Sequence, residues 1–242
     1  MGADVVGFRG CALQNELGEA GFLRKLKLKA YKDAADAAVP PERKPKLKLN
    51  IRIGDTPPVS MAYPDLEQEA EAFTRRVSGC EDCPITEGAP VGCYAYVSYP
   101  IDAPAEELLF EVVVRGLESP GSVGHRFHQE IMGRFEPPPA EWVERRGEAQ
   151  GALCVLEHPL EHSWHEGGEV RRLTSADVLW ALFATLDDAR GISLVAELLS
   201  EVGRVARERQ AAATGTLPEL VRMGDLARAL STVPGGRLVI VD

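Results

Sequence analysis

Long apolar runs are missing from this sequence. The longest, Val178 to Leu186, falls well short of the roughly 20 residues that cross a bilayer, so it reads as a core helix and no membrane span is expected. Glycine-rich phosphate cradles are also missing. Neither GxxxxGK followed by Ser or Thr nor GxGxxG occurs, which excludes the two commonest nucleotide-binding loops. There is no HExxH helix and no GxSxG nucleophile elbow. Lysine is absent outside one window: all seven lysines lie between Lys25 and Lys48, and every other basic residue is arginine. The opening "MGADVV" has no charged stretch leading into an apolar one, and Val6 stands where a myristoylation motif needs Ser or Thr. The expectation is a cytoplasmic protein without leader or lipid.

What is present suits a globular protein. The chain has 242 residues, 45% hydrophobic and 26% charged, enough for a core in one large domain or a domain with an appendage. A net charge of −10 argues against wholesale nucleic-acid binding. The charge is uneven, however. Between Arg24 and Arg52 lie ten basic and three acidic residues, a local net of +7; the remaining 17 basic and 34 acidic residues give −17.

That basic window contains two alternating runs. In "LRKLKLKAY", 23–31, Leu26 and Leu28 interleave with Lys25, Lys27 and Lys29. In "KLKLNIRI", 46–53, Leu47, Leu49, Ile51 and Ile53 interleave with Lys46, Lys48, Asn50 and Arg52. Period two predicts strands with one apolar and one cationic face. Paired, they would present Lys25, Lys27, Lys29, Lys46, Lys48 and Arg52 as a basic surface for an acidic protein partner, another subunit or phosphates. Two plainer readings compete: lysines that protect an edge strand, and lysines that neutralise the acidic remainder of the same fold.

Elsewhere the pattern predicts a first strand over 4–13, a polar turn at "QNELGEAG", a short helix at "DAADAAV" and a loop at "GDTPPVSMAY". A helix is expected over 64–79, with Pro64 in its first turn and Gly79 as its stop, then a strand at "CYAYVSYPI". Helices follow at "APAEELLFEVVVRGL" and "SVGHRFHQEIMGRF", near Trp142, and over 174–189, 192–213 and 218–231. A strand is expected at "ALCVLEHPL", a loop at "HSWHEGGEVRRL" and a closing strand at "RLVIVD". Strands in the first half and helices in the second indicate α+β: a mixed or antiparallel sheet packed with helices, then a mainly helical second half. The triple proline at 137–139 divides the chain into 1–136 and 140–242, expected to pack as one globule.

Three of the five cysteines fall within fourteen residues, in "CEDCPITEGAPVGC". Cys80 and Cys83 have the CxxC spacing that lets two thiolates reach one tetrahedral zinc; Cys93 would be a third ligand and Cys11, or a histidine of the second half, the fourth, giving a structural Zn²⁺. Reduced cysteines packed as small hydrophobes are the plain alternative. A reactive thiol is disfavoured, because Glu81 and Asp82 sit between the cysteines and the motif follows a helix instead of opening one. The histidines form two groups, His125 with His128, and His158, His162 and His165; Pro159 and nearby glycines argue against a helical HxxxHxxH metal site. The expectation is a non-catalytic interaction or regulatory protein, with an acidic partner or homo-oligomer on the basic surface. The alternatives are a metal- or thiol-dependent hydrolase and a nucleic-acid-binding accessory protein.

Overall fold

Strand β1 (Gly2–Phe8) is buried from Ala3 to Phe8, on both of its faces. It is the middle strand of a three-stranded antiparallel sheet, between β4 (Tyr94–Ser98) and β7 (Arg237–Val241). Alternation divides its side chains between two cores. Val5 stands in register with Ala95 and Ile240 and, with Val97 and Leu238, belongs to the larger core. Val6 and Phe8 point the other way, onto Phe22, Leu26 and Phe73. Helices therefore cover both faces of the sheet, and the last strand of the chain completes a sheet begun by the first.

The computed structural model describes residues 2–51, 57–77, 93–98, 100–138, 158–209 and 215–241. Their fold is α+β, with antiparallel sheets packed among helices and the strands mostly in the first half. Among the described residues no helix is long and apolar enough to cross a membrane. The helix expected near Trp142, and 152–157 of the strand expected at "ALCVLEHPL", lie outside them.

One element overturns the sequence reading. Residues 23–31 are helical, inside α1 (Ala12–Ala38), which also absorbs the expected turn at "QNELGEAG" and the end of the expected first strand. The helix is buried on two sides: Phe22 and Leu26, one turn apart, belong to one small core, and Leu28, about 200° from Leu26, packs on Ile51 and Leu66. The Leu–Lys alternation is therefore compatible with a helix packed on two sides, and Leu, Lys and Ala are strong helix formers. Gly18, at φ 66°, interrupts the helix near its start.

After α1 come β2 (Lys48–Ile51) and β3 (Val59–Ala62), a separate antiparallel ribbon with Lys48 opposite Ala62 and Ile51 opposite Val59. The stretch expected as loop thus contributes β3. The inner face of the ribbon closes a small cluster, with Ile51 packed on Leu28 and Leu66. Helix α2 (Tyr63–Val77) runs antiparallel to α1, and ion pairs Lys25–Glu69 and Arg76–Glu16 tie the two.

The larger core is built by α3 (Ala103–Leu117), α4 (Val123–Glu130), α5 (Ser175–Leu182), α6 (Ala189–Glu208) and α7 (Leu217–Ser231). Helices α3 and α4 cross at Gly116, where a Cβ would lie 2.5 Å from the Gly124 Cα. Thr174 caps α5 in a reciprocal box with Asp177. The "HSWHEGGEVRRL" stretch is not a loop. It forms the hairpin β5 (Glu161–Glu166) and β6 (Glu169–Thr174), turned by Gly167 and Gly168 at φ 61° and 86°. Two adjacent glycines with positive φ make the tight turn whose twist suits a hairpin.

Candidate anion-binding strip

Once 23–31 is a helix, its lysines no longer share a face with those of β2. Residues advance by about 100° along a helix, so Lys25 and Lys29, one turn apart, share a side and Lys27 points away from it. Each finds a carboxylate. Lys25 pairs with Glu69 of α2, Lys27 with Asp4 of β1 at 2.9 Å, and Lys29 with Asp33 one turn on at 2.5 Å. Lys32 and Lys44 converge on Asp36, at 2.5 Å and 2.6 Å. Five of the seven lysines therefore neutralise acids of their own chain.

Lys46 and Lys48 differ. Both are exposed, and neither has an ion-pair partner among the described residues. Arg43 joins them, a residue outside the alternating run and missed by it. The Lys46 N–H donates to the Arg43 carbonyl at 3.2 Å, closing a 3₁₀ turn in which residues three apart stand one above the other. Arg43 is exposed and likewise has no ion-pair partner among the described residues. The strip continues onto β2, where Lys48 and Asn50 are exposed while Leu49 and Ile51 turn inward. Ser60 and Ala62 stand opposite Asn50 and Lys48 on the same outer face, which carries no aromatic side chain. Arg52 lies outside the described residues.

The strip is anchored from beneath by Asp36. Its carboxylate accepts from Lys32, Lys44 and the Tyr63 hydroxyl, the last at 2.5 Å, and the Lys44 ammonium sits 5.7 Å from the centre of the Tyr63 ring. These donors, Lys32 foremost, hold the Asp36 carboxyl well below the usual carboxylate range, and the same hydrogen bond pushes the Tyr63 hydroxyl up. A carboxyl with a lower pKa folded than unfolded stabilises the fold fully above its unfolded value, about 3.9 for Asp, and loses that contribution as pH falls below it. Asp36→Asn is expected to flatten the decline in stability between about pH 5 and pH 2 that urea unfolding measures in the parent. An unchanged acid slope would contradict the role given to this hub.

The cysteines are only partly visible, since Cys80 and Cys83 lie outside the described residues. Cys11 immediately precedes α1 and is half-buried. Cys93 is half-buried beside β1, its carbonyl accepting from the Gly7 N–H at 2.9 Å. Gln14 ties this corner together: its Oε1 accepts from the N–H groups of Arg9 and Gly10, at 2.9 Å and 3.0 Å, and its Nε2 donates to the Gly7 carbonyl at 3.0 Å. Val77 ends the described part of α2 and packs, with Leu13 and Cys93, on the same small core. The two described ends of the cysteine-bearing segment and Cys11 thus belong to one corner of the molecule.

Two of the histidines, His128 and His162, pack on an indole, while His158 and His165 are exposed. His162 and His165 lie on a strand, three residues apart and so on opposite faces, not on one helical stripe. His162 stacks on Trp164 at 6.0 Å, and His128 meets the same indole edge-on at 5.4 Å. Among the described residues no three His, Cys, Asp or Glu side chains are grouped to hold a metal. No family model, curated protein or solved structure matches the chain.

Proposed function

We propose that the chain is a non-catalytic cytoplasmic binding protein that holds an acidic partner protein on the Arg43–Lys48 strip and the outer face of β2. One observation carries this reading. Of the clustered lysines, those with no ion-pair partner among the described residues are adjacent, exposed and continuous with Arg43. Exposed charges that no ion pair engages remain available to a partner of opposite charge. The outer face offers Lys48, Asn50, Ser60 and Ala62 and no ring for a base to stack on, so an acidic protein suits it better than single-stranded nucleic acid. Poly-glutamate titrated onto the protein should bind at low salt and weaken steeply as salt rises. Tighter binding to single-stranded DNA than to poly-glutamate, or no binding to either, would overturn the reading.

A second reading concerns the cysteines: a structural zinc held by Cys80, Cys83, Cys93 and Cys11. Its support is the shared corner of Cys11, Cys93 and Val77. A closed four-ligand site would pin the segment without chemistry, whereas an open coordination position would point to the hydrolase alternative. Elemental analysis of the purified protein should find about one zinc per chain, lost on replacing Cys93 with Ser. Protein with neither zinc nor iron would end this reading.

A further inference from the structure

Strand β2 has two edges, and β3 occupies one. The Tyr63 N–H donates to the Leu47 carbonyl at 3.0 Å, which sets the phase of the ribbon. Leu47, Leu49 and Ile51 turn their backbone groups towards β3, so Lys48 and Asn50 turn theirs to the opposite edge. Among the described residues those outward N–H and C=O groups have no hydrogen-bond partner. The side chains of the same two residues stand exposed on the outer face, next to Lys46 and Arg43. A row of unsatisfied backbone groups is a template for another strand, and here it is bordered by cations.

We infer that β2 accepts an extended acidic segment of the partner as a third, antiparallel strand. This rests on the function proposed above and specifies the form the partner takes. In an antiparallel pair, residues that exchange both hydrogen bonds also point their side chains to the same face. The partner residue facing Lys48 therefore sets its side chain on the outer face, and an acidic residue there meets Lys48 while its neighbours of the same phase reach Lys46 and Arg43. Residues of the other phase lie towards the half-buried Leu49 and Met61. A second copy of this chain is a poor occupant, since pairing two β2 edges would bring two Arg43–Lys48 strips together, and like charges across a strand pair destabilise it.

The backbone phase gives a test that charge alone cannot pass. The probe is a short peptide of alternating Glu and Thr, in three forms: unmodified, N-methylated on every Glu, and N-methylated on every Thr. All three carry the same charge. Antiparallel addition turns the Glu N–H groups towards β2 and the Thr N–H groups away. The expected result is binding of the unmodified and Thr-methylated peptides within about twofold of each other, with the Glu-methylated peptide weaker by about tenfold or more. Equal binding of all three would overturn strand addition and leave the anion-binding strip standing. Binding of none, with poly-glutamate also unbound, would overturn both. A third result, dimerisation of the Lys46→Gln/Lys48→Gln variant with no peptide binding to the parent, would make the lysines guards against self-association and overturn the inference.

Discussion

Replacing Lys27 with Met is expected to lower unfolding stability by about 3–5 kcal/mol, the cost of leaving one member of a buried ion pair alone. Lys27 leaves α1 towards the sheet, and its side chain is 14% exposed, that of Asp4 7%. Its ammonium lies 2.9 Å from Asp4 Oδ2 but off the hydrogen-bond direction, so it compensates by charge; the Tyr94 hydroxyl donates to Oδ1 at 2.7 Å. Burial first, and the Asp4 charge next, push the Tyr94 hydroxyl up, so it remains protonated as that donor. Met keeps the apolar stem and removes only the charge. Adding Asp4→Asn should restore most of the loss, because no buried charge then lacks a counterpart. Urea unfolding of the two variants measures this, and a single-variant loss below about 1 kcal/mol would place the pair with ordinary surface pairs. Lys29–Asp33, at 37% and 55% exposed, is such a pair, and breaking it should cost about 0.5 kcal/mol or less.

Asp102→Ala is the second large effect expected, about 2–4 kcal/mol. This carboxylate caps α3 by accepting from the Ala105 N–H at 3.0 Å, and it also clasps the start of α7 by accepting from the Thr216 N–H at 2.7 Å. The Thr216 hydroxyl in turn accepts from the Asp102 N–H at 3.1 Å. Thr216 is 6% exposed, so its amide would be left buried and unpaired. The neighbouring Gly215 has φ +72°, and a Cβ there would run into Asp102 Oδ2, so Gly215→Ala should destabilise through the same clasp. A loss under 1 kcal/mol for Asp102→Ala in urea unfolding would contradict this account.

Both sites show what a sequence can and cannot reveal. Nothing near Asp4 or Lys27 in the chain announces the other; the register of β1 and the rotation of α1 bring them together. The α+β class was legible, because local signals such as Pro64 in the first turn of its helix are correct. Residues 23–31 resemble a strand because Leu26 and Leu28 are buried on two sides of one helix, in separate cores, which mimics period two. The β5–β6 hairpin was signalled by Gly167–Gly168 between two runs that pair residue for residue. The basic window was visible in the sequence as a charge imbalance. Which of its cations are engaged was not, since Glu69 and Asp4 reach Lys25 and Lys27 only through the fold.

The lysines of α1 are engaged within the chain, while those leading into β2 have no ion-pair partner among the described residues. Two variants with equal loss of charge separate these groups: Lys25→Gln/Lys29→Gln and Lys46→Gln/Lys48→Gln. Their affinities for poly-glutamate at one fixed salt concentration are the measurement. The Lys46/Lys48 variant is expected to bind about tenfold more weakly than the parent, and the Lys25/Lys29 variant to stay within about twofold. Equal weakening of both would mean that net charge alone governs binding and would contradict the strip.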